Sequence, residues 1–182
     1  CLLYPLRNGL KYHSALIAAS TDPLTGAGNR TALNEALEHE INLAVRNETP
    51  LSVVIFDFDN FKQLNDGYGH QCGDLVLKEI TLEVKKLIRK TDQLFRYGGE
   101  EFVLLLNSTS LTCATEVANK VRQHIANTVI KFQHEEVSIS ASMGAATFQE
   151  GDAIDTLINR ADHAMFRAKD QGRNRVCADA QP

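Results

Sequence analysis

Apolar residues in this chain follow two periods, one typical of strands and one typical of helices. Residues 51–58 form a nearly unbroken apolar run, which predicts a central strand covered on both faces. Apolar residues at 94–95 and 102–106 flank a glycine pair and predict a hairpin. Alternation and β-branched content predict a further strand over 137–148, with residues 128–132 as a candidate partner.

Helices are predicted in the intervals, from apolar residues three and four positions apart. After a first helix, the predicted core order is strand, helix, helix, hairpin, helix, strand, helix, and the sequence leaves the strand pairing open. The predicted helices are one capped by Asn29 and ending near Arg46, a short one capped by Asp59, one capped by Asp74 and ending near Arg89, one capped by Ser110 and ending near Ala126, and one from Ile154 to Lys169.

The most informative motif is Arg96-Tyr97-Gly98-Gly99-Glu100-Glu101-Phe102, which lies between two predicted strands. A glycine pair in a tight turn leaves the backbone bare, so a phosphate can approach it closely. The adjacent glutamates supply the oxygen ligands that hold divalent cations. The alternative is a plain Gly-Gly turn with two solvated glutamates, because short motifs of this kind also occur by chance.

A second candidate feature is the carboxylate Asp57, at the end of the 51–58 run. The helix expected after Asp59 would offer free N–H groups and a positive dipole end to an anion. If the glycine hairpin lies beside this strand, Asp57, Glu100 and Glu101 converge. Three ionised carboxylates repel one another unless a cation lies among them, so the pattern predicts a cation and phosphate site.

Composition narrows the class of protein. The chain has 182 residues, 43% hydrophobic content and a net charge of −4, which is ordinary for a globular domain and argues against a general nucleic-acid binder. It contains no apolar run long enough to span a membrane. Its four cysteines lack disulfide or zinc spacing, so reduced thiols and a cytoplasmic location are expected.

The first 20 residues are expected to be the end of a signalling linker helix. The chain begins with Cys1 instead of Met, which indicates a fragment of a longer protein, and apolar residues at alternating three- and four-residue steps favour a short coiled coil. The alternative is a helix that packs this stripe on its own domain. The stripe consists of Leu3, Leu6, Leu10, His13 and Ile17.

Four motifs in the same order resemble those of the GGDEF family of diguanylate cyclases, over nearly the whole chain from Thr21 to Val176. The signature appears in its Gly-Gly-Glu-Glu-Phe form, which is an active variant in the family. In the opening turn, Ala27 and Gly28 replace the usual Leu-Pro. The four motifs are the opening turn Asp22–Arg30, the segment Asp57–Asp74, the signature Arg96–Phe102 and the closing motif Ala161–Val176.

The resemblance implies an α+β fold, a two- or three-layer α/β sandwich with a mostly antiparallel central sheet and helices on both sides. Its core order would be β-α-α-β-β-α-β, a ferredoxin-like arrangement akin to nucleotide cyclase and polymerase palm domains. The domain is expected over residues 21–177, after the linker at 1–20 and before a disordered tail at 178–182.

The resemblance also implies a reaction, in which two GTP molecules condense into cyclic di-GMP with release of two pyrophosphates. Mg²⁺, with Mn²⁺ as the alternative cofactor, would be held by Asp57, the backbone carbonyl of Phe58, Glu100 and Glu101. Glu100, Glu101 and Lys62 are the candidate catalytic residues, and one of the two glutamates would assist loss of the 3′-hydroxyl proton. The alternative function is a catalytically silent receptor domain that binds GTP or cyclic di-GMP.

The remaining candidates are implied substrate contacts. Asn65 and Asp74 match guanine-contacting positions, although caps of the two neighbouring helices would explain the same residues. Gly98 and Gly99 would line the α-phosphate, and the triphosphate would be contacted by three cationic side chains. The full set of expected substrate contacts is Asn60, Phe61, Lys62, Asn65, Asp74, Gly98, Gly99, Lys169 and Arg173.

Arg89 and Asp92 lie shortly before the signature, where the family carries an inhibitory Arg-x-x-Asp site for cyclic di-GMP. A guanidinium binds guanine or phosphate through paired hydrogen bonds, which suits this ligand. The alternative is an ordinary helix-terminal arginine followed by an aspartate. The implied partners are therefore GTP, cyclic di-GMP and a second copy of the domain, held together by the upstream linker or sensor.

Overall fold

The computed structural model describes residues 19–179 of the chain, and within them the predicted order of helices and strands is confirmed. Ala19 and Ser20 are helical, whereas the rest of the predicted linker lies outside the described residues. The helices are α1 (Arg30–Asn47), α2 (Phe61–Tyr68), α3 (His70–Leu87), α4 (Leu111–Asn127) and α5 (Ile154–Asp170). The strands are β1 (Leu51–Phe58), β2 (Gln93–Gly98), β3 (Glu101–Asn107), β4 (Ile130–Phe132), β5 (Glu135–Val137), β6 (Ala141–Thr147) and β7 (Val176–Ala178).

The main sheet has five strands in the order β2-β3-β1-β6-β7. β1 pairs antiparallel with β3 and β6, β2 pairs antiparallel with β3, and only the short β7 runs parallel to its neighbour β6. β4 and β5 form a separate hairpin. The α+β class, the mostly antiparallel sheet and the ferredoxin-like core order are therefore confirmed.

Helices cover both faces of the sheet, which makes a three-layer sandwich. Because side chains alternate along a strand, Val54 and Phe56 of β1 pack with α3 and α4, while Val53 and Ile55 pack with α1 and α5. All of β1 is buried, as its apolar run predicts. Each of these side chains contributes about 1.5–3 kcal/mol by leaving water, so β1 is a rigid base for what lies at its end. No helix within residues 19–179 is both long and apolar enough to cross a bilayer.

The loop before α1 covers the outer edge of β2. The Gly28 amide donates to Leu94 O (3.1 Å), and the Arg96 amide donates to Gly28 O (2.8 Å). A Cβ atom at Gly28 would lie 2.3 Å from the Phe95 ring, so only glycine permits this close approach.

Two of the four predicted helix caps are wrong. Asn29 and Ser110 do cap α1 and α4 through their side chains. Asp59, however, makes no cap, because its carboxylate accepts hydrogen bonds from β6 and from the turn after α5. Asp74 lies inside α3, which begins earlier because Gly69, with φ of 86°, lets the chain pass directly from α2 into α3.

Two predictions near the C-terminal half also need correction. The single strand predicted over 137–148 is interrupted, since Val137 pairs with Ile130 in the small hairpin and Ala141 pairs with Phe58 in the main sheet. Residues 178 and 179 were assigned to a disordered tail, but Ala178 ends β7 and the Asp179 carboxylate pairs with Arg160. The rest of the predicted tail lies outside the described residues.

Candidate active site

The strand register brings the predicted carboxylates to one end of the sheet. Asp57, the penultimate residue of β1, lies directly opposite Glu101 of β3, and Glu101 also pairs with Gly98 of β2. Glu100 lies on the turn between β2 and β3. Phe58 follows Asp57, with its side chain buried in the core and its backbone at the same strand end.

Asp57 and Glu101 lie in an environment that opposes their ionisation. Burial raises the pKa of Asp57 above its ordinary value; Lys169 counteracts this, and the charges of Glu100 and Asp59 add to the rise. Burial also raises the pKa of Glu101, with repulsion from Asp57 and Asp162 acting in the same direction. The site therefore has excess negative charge, which a bound cation would relieve.

Lys169 supplies a positive charge to this cluster. Its Nζ lies 2.9 Å from Asp57 Oδ1 and 5.6 Å from the centre of the Phe166 ring. The sequence instead predicts a phosphate contact for Lys169. Lys169 is the second-last residue of α5, and α5 packs against one face of the sheet. This packing holds the Lys169 ammonium near the end of β1.

The donor set suits a hard divalent cation, because Asp57, Glu100, Glu101 and the Phe58 carbonyl offer the oxygen ligands that such cations prefer. In residues 19–179, however, no three His, Cys, Asp or Glu side chains lie close enough together to hold an ion. Asp57 is instead paired with the Lys169 ammonium.

Arg96 fixes the glycine turn to the loop at the start of the domain. Its Nε and Nη2 donate to Gly99 O at 2.9 and 2.7 Å, and its Nη1 donates to both carboxylate oxygens of Asp22 at 3.1 Å. Thr25 donates to the same carboxylate through its amide and its hydroxyl. The turn that carries Glu100 is thus anchored from one side by a single guanidinium.

The two glycines leave open space above this turn. Gly99 has φ of 47°, a conformation that side chains disfavour, and a Cβ atom at Gly98 or Gly99 would have no described protein atom within 4 Å. Packing within the domain therefore does not account for the glycine at position 98. The vacant space above the turn agrees with the predicted approach of a phosphate.

A concavity of about 370 Å³ lies beside the turn, between α2, α3 and the signature. Asn65 lines it, and the buried Asn65 Oδ1 has no hydrogen-bond partner among the described residues. The α3 residue Gly73 lets this amide pack closely, since a Cβ atom there would lie 2.0 Å from Asn65 Oδ1. The concavity is lined by Phe61, Lys62, Asn65, Asp66, His70, Asp74, Leu77, Arg96, Gly99 and Glu100.

An unpaired buried carbonyl is costly, so Asn65 Oδ1 needs a donor that the described residues do not supply. The competing explanation for Asn65 and Asp74, that they cap helices, does not hold. Asn65 accepts from Gly69 only through its backbone, and Asp74 lies exposed on α3, inside the helix.

The other predicted substrate contacts are more dispersed. Phe61 is buried against Phe58, so its ring belongs to the core, while Lys62 is exposed on α2. Asn60 precedes α2 with φ of 57° and lines a neighbouring concavity of about 560 Å³. Arg173 lies in the turn after α5, with φ of 62°. Of the predicted substrate contacts, five line this concavity, together with Glu100: Phe61, Lys62, Asn65, Asp74 and Gly99. The other four lie outside its lining: Asn60, Gly98, Lys169 and Arg173.

Arg89 and Asp92 lie at the opposite end of β2 from the glycine turn. Asp92 is buried and its Oδ2 accepts from the Arg89 amide (3.1 Å), whereas its Oδ1 has no partner among the described residues. Arg89 is exposed and lines a cavity of about 330 Å³ that also contacts α1. The predicted inhibitory pair is therefore spatially separate from the carboxylate cluster.

Three residues of structural importance to the site were not predicted from the sequence. Asp22, Arg96 and Asp59 all occur in motifs that carry the resemblance, but their partners lie far along the chain. A charged residue beside apolar strand positions was the available signal, as for Arg96 between Phe95 and Tyr97. Such a residue needs a partner when it is partly buried.

Known proteins resemble this chain in both sequence and structure. The family model described as "Diguanylate cyclase, GGDEF domain" matches residues 19–175. Diguanylate cyclase DgcP of Pseudomonas aeruginosa is 43% identical over 158 residues, covering 87% of this chain and 24% of the relative. Diguanylate cyclase DgcS of Shewanella oneidensis is 38% identical over 177 residues, covering 95% of this chain and 57% of the relative.

Solved structures show the same fold. The diguanylate cyclase SiaD from Pseudomonas aeruginosa, in complex with its activator SiaC, matches with a TM-score of 0.87 and 35% identity, covering 96% of this chain and 67% of that one. The active GGEEF domain of a diguanylate cyclase from Vibrio cholerae matches with a TM-score of 0.79 and 34% identity, covering 85% and 98%.

The match covers most of this chain but only part of the curated relatives. The chain spans 24% of the length of DgcP and 57% of that of DgcS. The shared part includes the carboxylate cluster, the glycine turn and the concavity beside it. The chain belongs to the diguanylate cyclase GGDEF domain family.

Proposed function

We propose that this domain condenses two GTP molecules into cyclic di-GMP and releases two pyrophosphates. The observation that carries the proposal is the register of Asp57 against Glu101 beside a bare glycine turn and a buried, unpaired Asn65 carbonyl. Together these features support the proposal that a cation, the phosphates and the guanine base bind at one strand end. The curated relatives named diguanylate cyclase support the same reaction.

In this reaction the 3′-hydroxyl of one GTP attacks the α-phosphorus of the other. A new phosphorus–oxygen bond forms, the bond to the pyrophosphate leaving group breaks, and the hydroxyl proton is accepted by Glu100 or Glu101. The raised pKa of Glu101 brings its basicity closer to what proton acceptance requires. A second transfer of the same kind, in which the two nucleotides exchange roles, closes the ring. Two domains, each holding one GTP, must therefore face each other.

The cofactor we assign is Mg²⁺, with Mn²⁺ as the alternative, held by Asp57, Glu100, Glu101 and the Phe58 carbonyl. When bound, the ion would neutralise triphosphate charge and acidify the attacking hydroxyl. Lys169 would leave Asp57 and bind the triphosphate, so that its charge serves the ligand-free cluster and the bound nucleotide in turn. Lys62 and Arg173 are the other proposed phosphate contacts, while Gly98 and Gly99 admit the α-phosphate.

Guanine recognition is assigned to Asn65 and Asp74. Asn65 Oδ1 is a buried acceptor without a partner, and the Asp74 carboxylate faces the same concavity from α3. Guanine presents an N1–H and a 2-amino group on one edge, whereas adenine lacks this pair of donors there. Because the acceptors are fixed by two packed helices, the site would select GTP over ATP.

Control by product is assigned to Arg89 and Asp92. Asp92 Oδ1 is a buried acceptor with no partner among the described residues, and the exposed residue Arg89 lies three positions before it in the chain. Cyclic di-GMP supplies the guanine N–H donors and the phosphates that this pair would recognise. A structure of the GGDEF domain of DgcB from Caulobacter crescentus is in complex with c-di-GMP.

Because GTP is the proposed substrate, we also expect the domain to work in the cytoplasm.

Incubation with GTP and Mg²⁺, followed by chromatographic identification of the product, tests the proposal. The wild type should form cyclic di-GMP, and Asp57→Asn or Glu101→Gln should form none while remaining folded. Glu116→Gln, which changes an exposed carboxylate on α4, is the matched control and should retain full turnover. Near-normal turnover in either site variant contradicts the assigned cation site, and nucleotide binding without turnover in the wild type would indicate a silent receptor domain.

A further inference from the structure

Asp59 is a buried carboxylate at the point where β1 leaves the sheet. It is 6% exposed and accepts three hydrogen bonds, from Ser140 Oγ (2.6 Å), Ser142 Oγ (2.6 Å) and the Asn174 amide (3.0 Å). All three donors are neutral. A buried carboxylate without an ion pair needs such donors, because they replace the hydrogen bonds it loses by leaving water.

These three bonds connect segments that are far apart in the sequence. The two serines lie before and within β6, whereas Asn174 lies in the turn that follows α5. The Asp59 amide also donates to Ser140 O (2.8 Å), which extends the β1–β6 pairing by one bond. Asp59 therefore joins the end of β1, the start of β6 and the turn after α5 into one unit.

The turn after α5 has a backbone that needs such support. Arg173 and Asn174 have φ values of 62° and 44°, which place two consecutive residues other than glycine in the left-handed region. This conformation costs roughly 1–2 kcal/mol per residue. Three further bonds support the turn besides those of Asp59. Arg122 Nη1 donates to Asn174 Oδ1 (2.7 Å), the Arg173 amide donates to Ala168 O (3.0 Å), and Arg175 Nε donates to Arg173 O (3.2 Å).

We infer that Asp59 is a positioning residue that holds the left-handed turn so that Arg173 faces the nucleotide phosphates beside Asp57. The inference rests on the proposed function, because it needs GTP at this strand end. Asp59 is two residues from Asp57 in the chain and accepts from the residue that follows Arg173. It thereby fixes the distance between the proposed cation site and one phosphate contact. Asp59 itself touches neither reacting group.

Kinetics of single and double variants test this role. Asp59→Ala removes the acceptor and should raise the KM for GTP about tenfold, close to the effect of Arg173→Ala, with kcat reduced much less. Asp59→Asn keeps the shape and one acceptor oxygen, so it should restore most of the affinity. The double variant Asp59→Ala/Arg173→Ala should bind GTP no more weakly than Arg173→Ala alone, because both changes remove the same contact.

Asp152→Ala is the matched control. Asp152 is also a carboxylate that ties a loop to α5, through Arg160 and the Gln149 amide, but it lies outside the proposed site. It should lower the unfolding free energy without changing the KM for GTP. Hydrogen–deuterium exchange provides an independent measurement: residues 171–176 should exchange faster in both Asp59 variants and at the wild-type rate in Asp152→Ala.

The outcomes separate this inference from the proposed function. A wild type that neither binds nor converts GTP overturns both. If the wild type is active, KM values for the Asp59 variants equal to that of Asp152→Ala overturn the positioning role alone. Additive losses in the double variant, or unchanged exchange of residues 171–176, do the same. If Asp59→Ala does not fold, Asp59→Asn alone decides, with an expected KM increase of about threefold and the same non-additivity with Arg173→Ala.

Discussion

Replacing Arg96 by lysine should uncouple the signature turn from the opening loop of the domain. The guanidinium makes two bonds to Gly99 O and two to the Asp22 carboxylate, and one ammonium cannot reach both groups in that geometry. Hydrogen bonds to charged groups contribute about 1.5–3 kcal/mol each when buried. Since the Arg96 and Asp22 side chains are 17% and 16% exposed, solvent screens part of this.

We therefore expect Arg96→Lys to lower the unfolding free energy by about 2 kcal/mol, which corresponds to a decrease of about 4–8 °C in Tm. Turnover at saturating GTP should also fall, by about 30- to 100-fold. A released turn misplaces Glu100, and an error of about 1 Å in a catalytic group can cost about a hundredfold in rate. Calorimetry and initial rates of cyclic di-GMP formation measure the two effects.

Arg160→Lys is the control that separates the effect of a released signature turn from the effect of lost stability. Arg160 pairs with two carboxylates, Asp152 and Asp179, and its side chain is 20% exposed, so the expected loss of stability is similar. Because Arg160 makes no contact with the signature, its variant should keep turnover within about twofold of the wild type, since lost stability alone does not move Glu100. If the two variants lose turnover equally, the anchoring role of Arg96 is wrong.

Three further predictions concern pH, base selection and inhibition. Burial favours a higher pKa for Asp22, but the hydrogen bonds from Thr25 and Arg96 outweigh it and hold the pKa below its ordinary value. The stabilisation from Asp22 is thus complete above about pH 4 and is lost as the pH falls through the lower pKa of the folded state. In urea unfolding, the free energies of unfolding of wild type and Asp22→Asn should therefore converge only in acid. A difference that stays constant with pH would contradict this. Asp74→Ala should reduce the preference for GTP over ATP about ten- to hundredfold in competition binding, and a wild type that binds both equally would refute the guanine site. Arg89→Ala should relieve inhibition by added cyclic di-GMP without lowering the uninhibited rate, whereas inhibition curves identical to the wild type would leave Arg89 as an ordinary helix-end residue.

Local patterns predicted the parts of the fold that depend on neighbouring residues. The caps Asn29 and Ser110 bond to amides three residues away, and the run of β1 needs no more than burial on both faces. Asp59 was assigned to a cap by the same rule, and that assignment is wrong. Its partners lie 81, 83 and 115 residues further on, and no local rule includes them.

The site was predictable to the extent that it follows from strand register. Placing the signature hairpin beside β1 is enough to bring Asp57 opposite Glu101. The contact between Lys169 and Asp57 was not predicted, because a lysine near a helix end is most simply assigned to a ligand. Without nucleotide, excess carboxylate charge attracts the nearest cation, and that competition depends on distances that only the folded chain defines.

The hydrogen bonds of Gly28 to β2 also restrict how two copies of this domain can meet. An uncovered edge strand offers its amides and carbonyls to a strand from another molecule. Here the Leu94 carbonyl and the Arg96 amide are already bonded to Gly28, and the strand at the opposite edge of the sheet, β7, has only three residues. A strand from a second molecule therefore cannot pair with β2 where Gly28 is bonded, and it could form only a few hydrogen bonds with β7. Substituting a larger residue for Gly28 would push the loop off the Phe95 ring and uncover β2, which would expose an edge strand through which two molecules could aggregate.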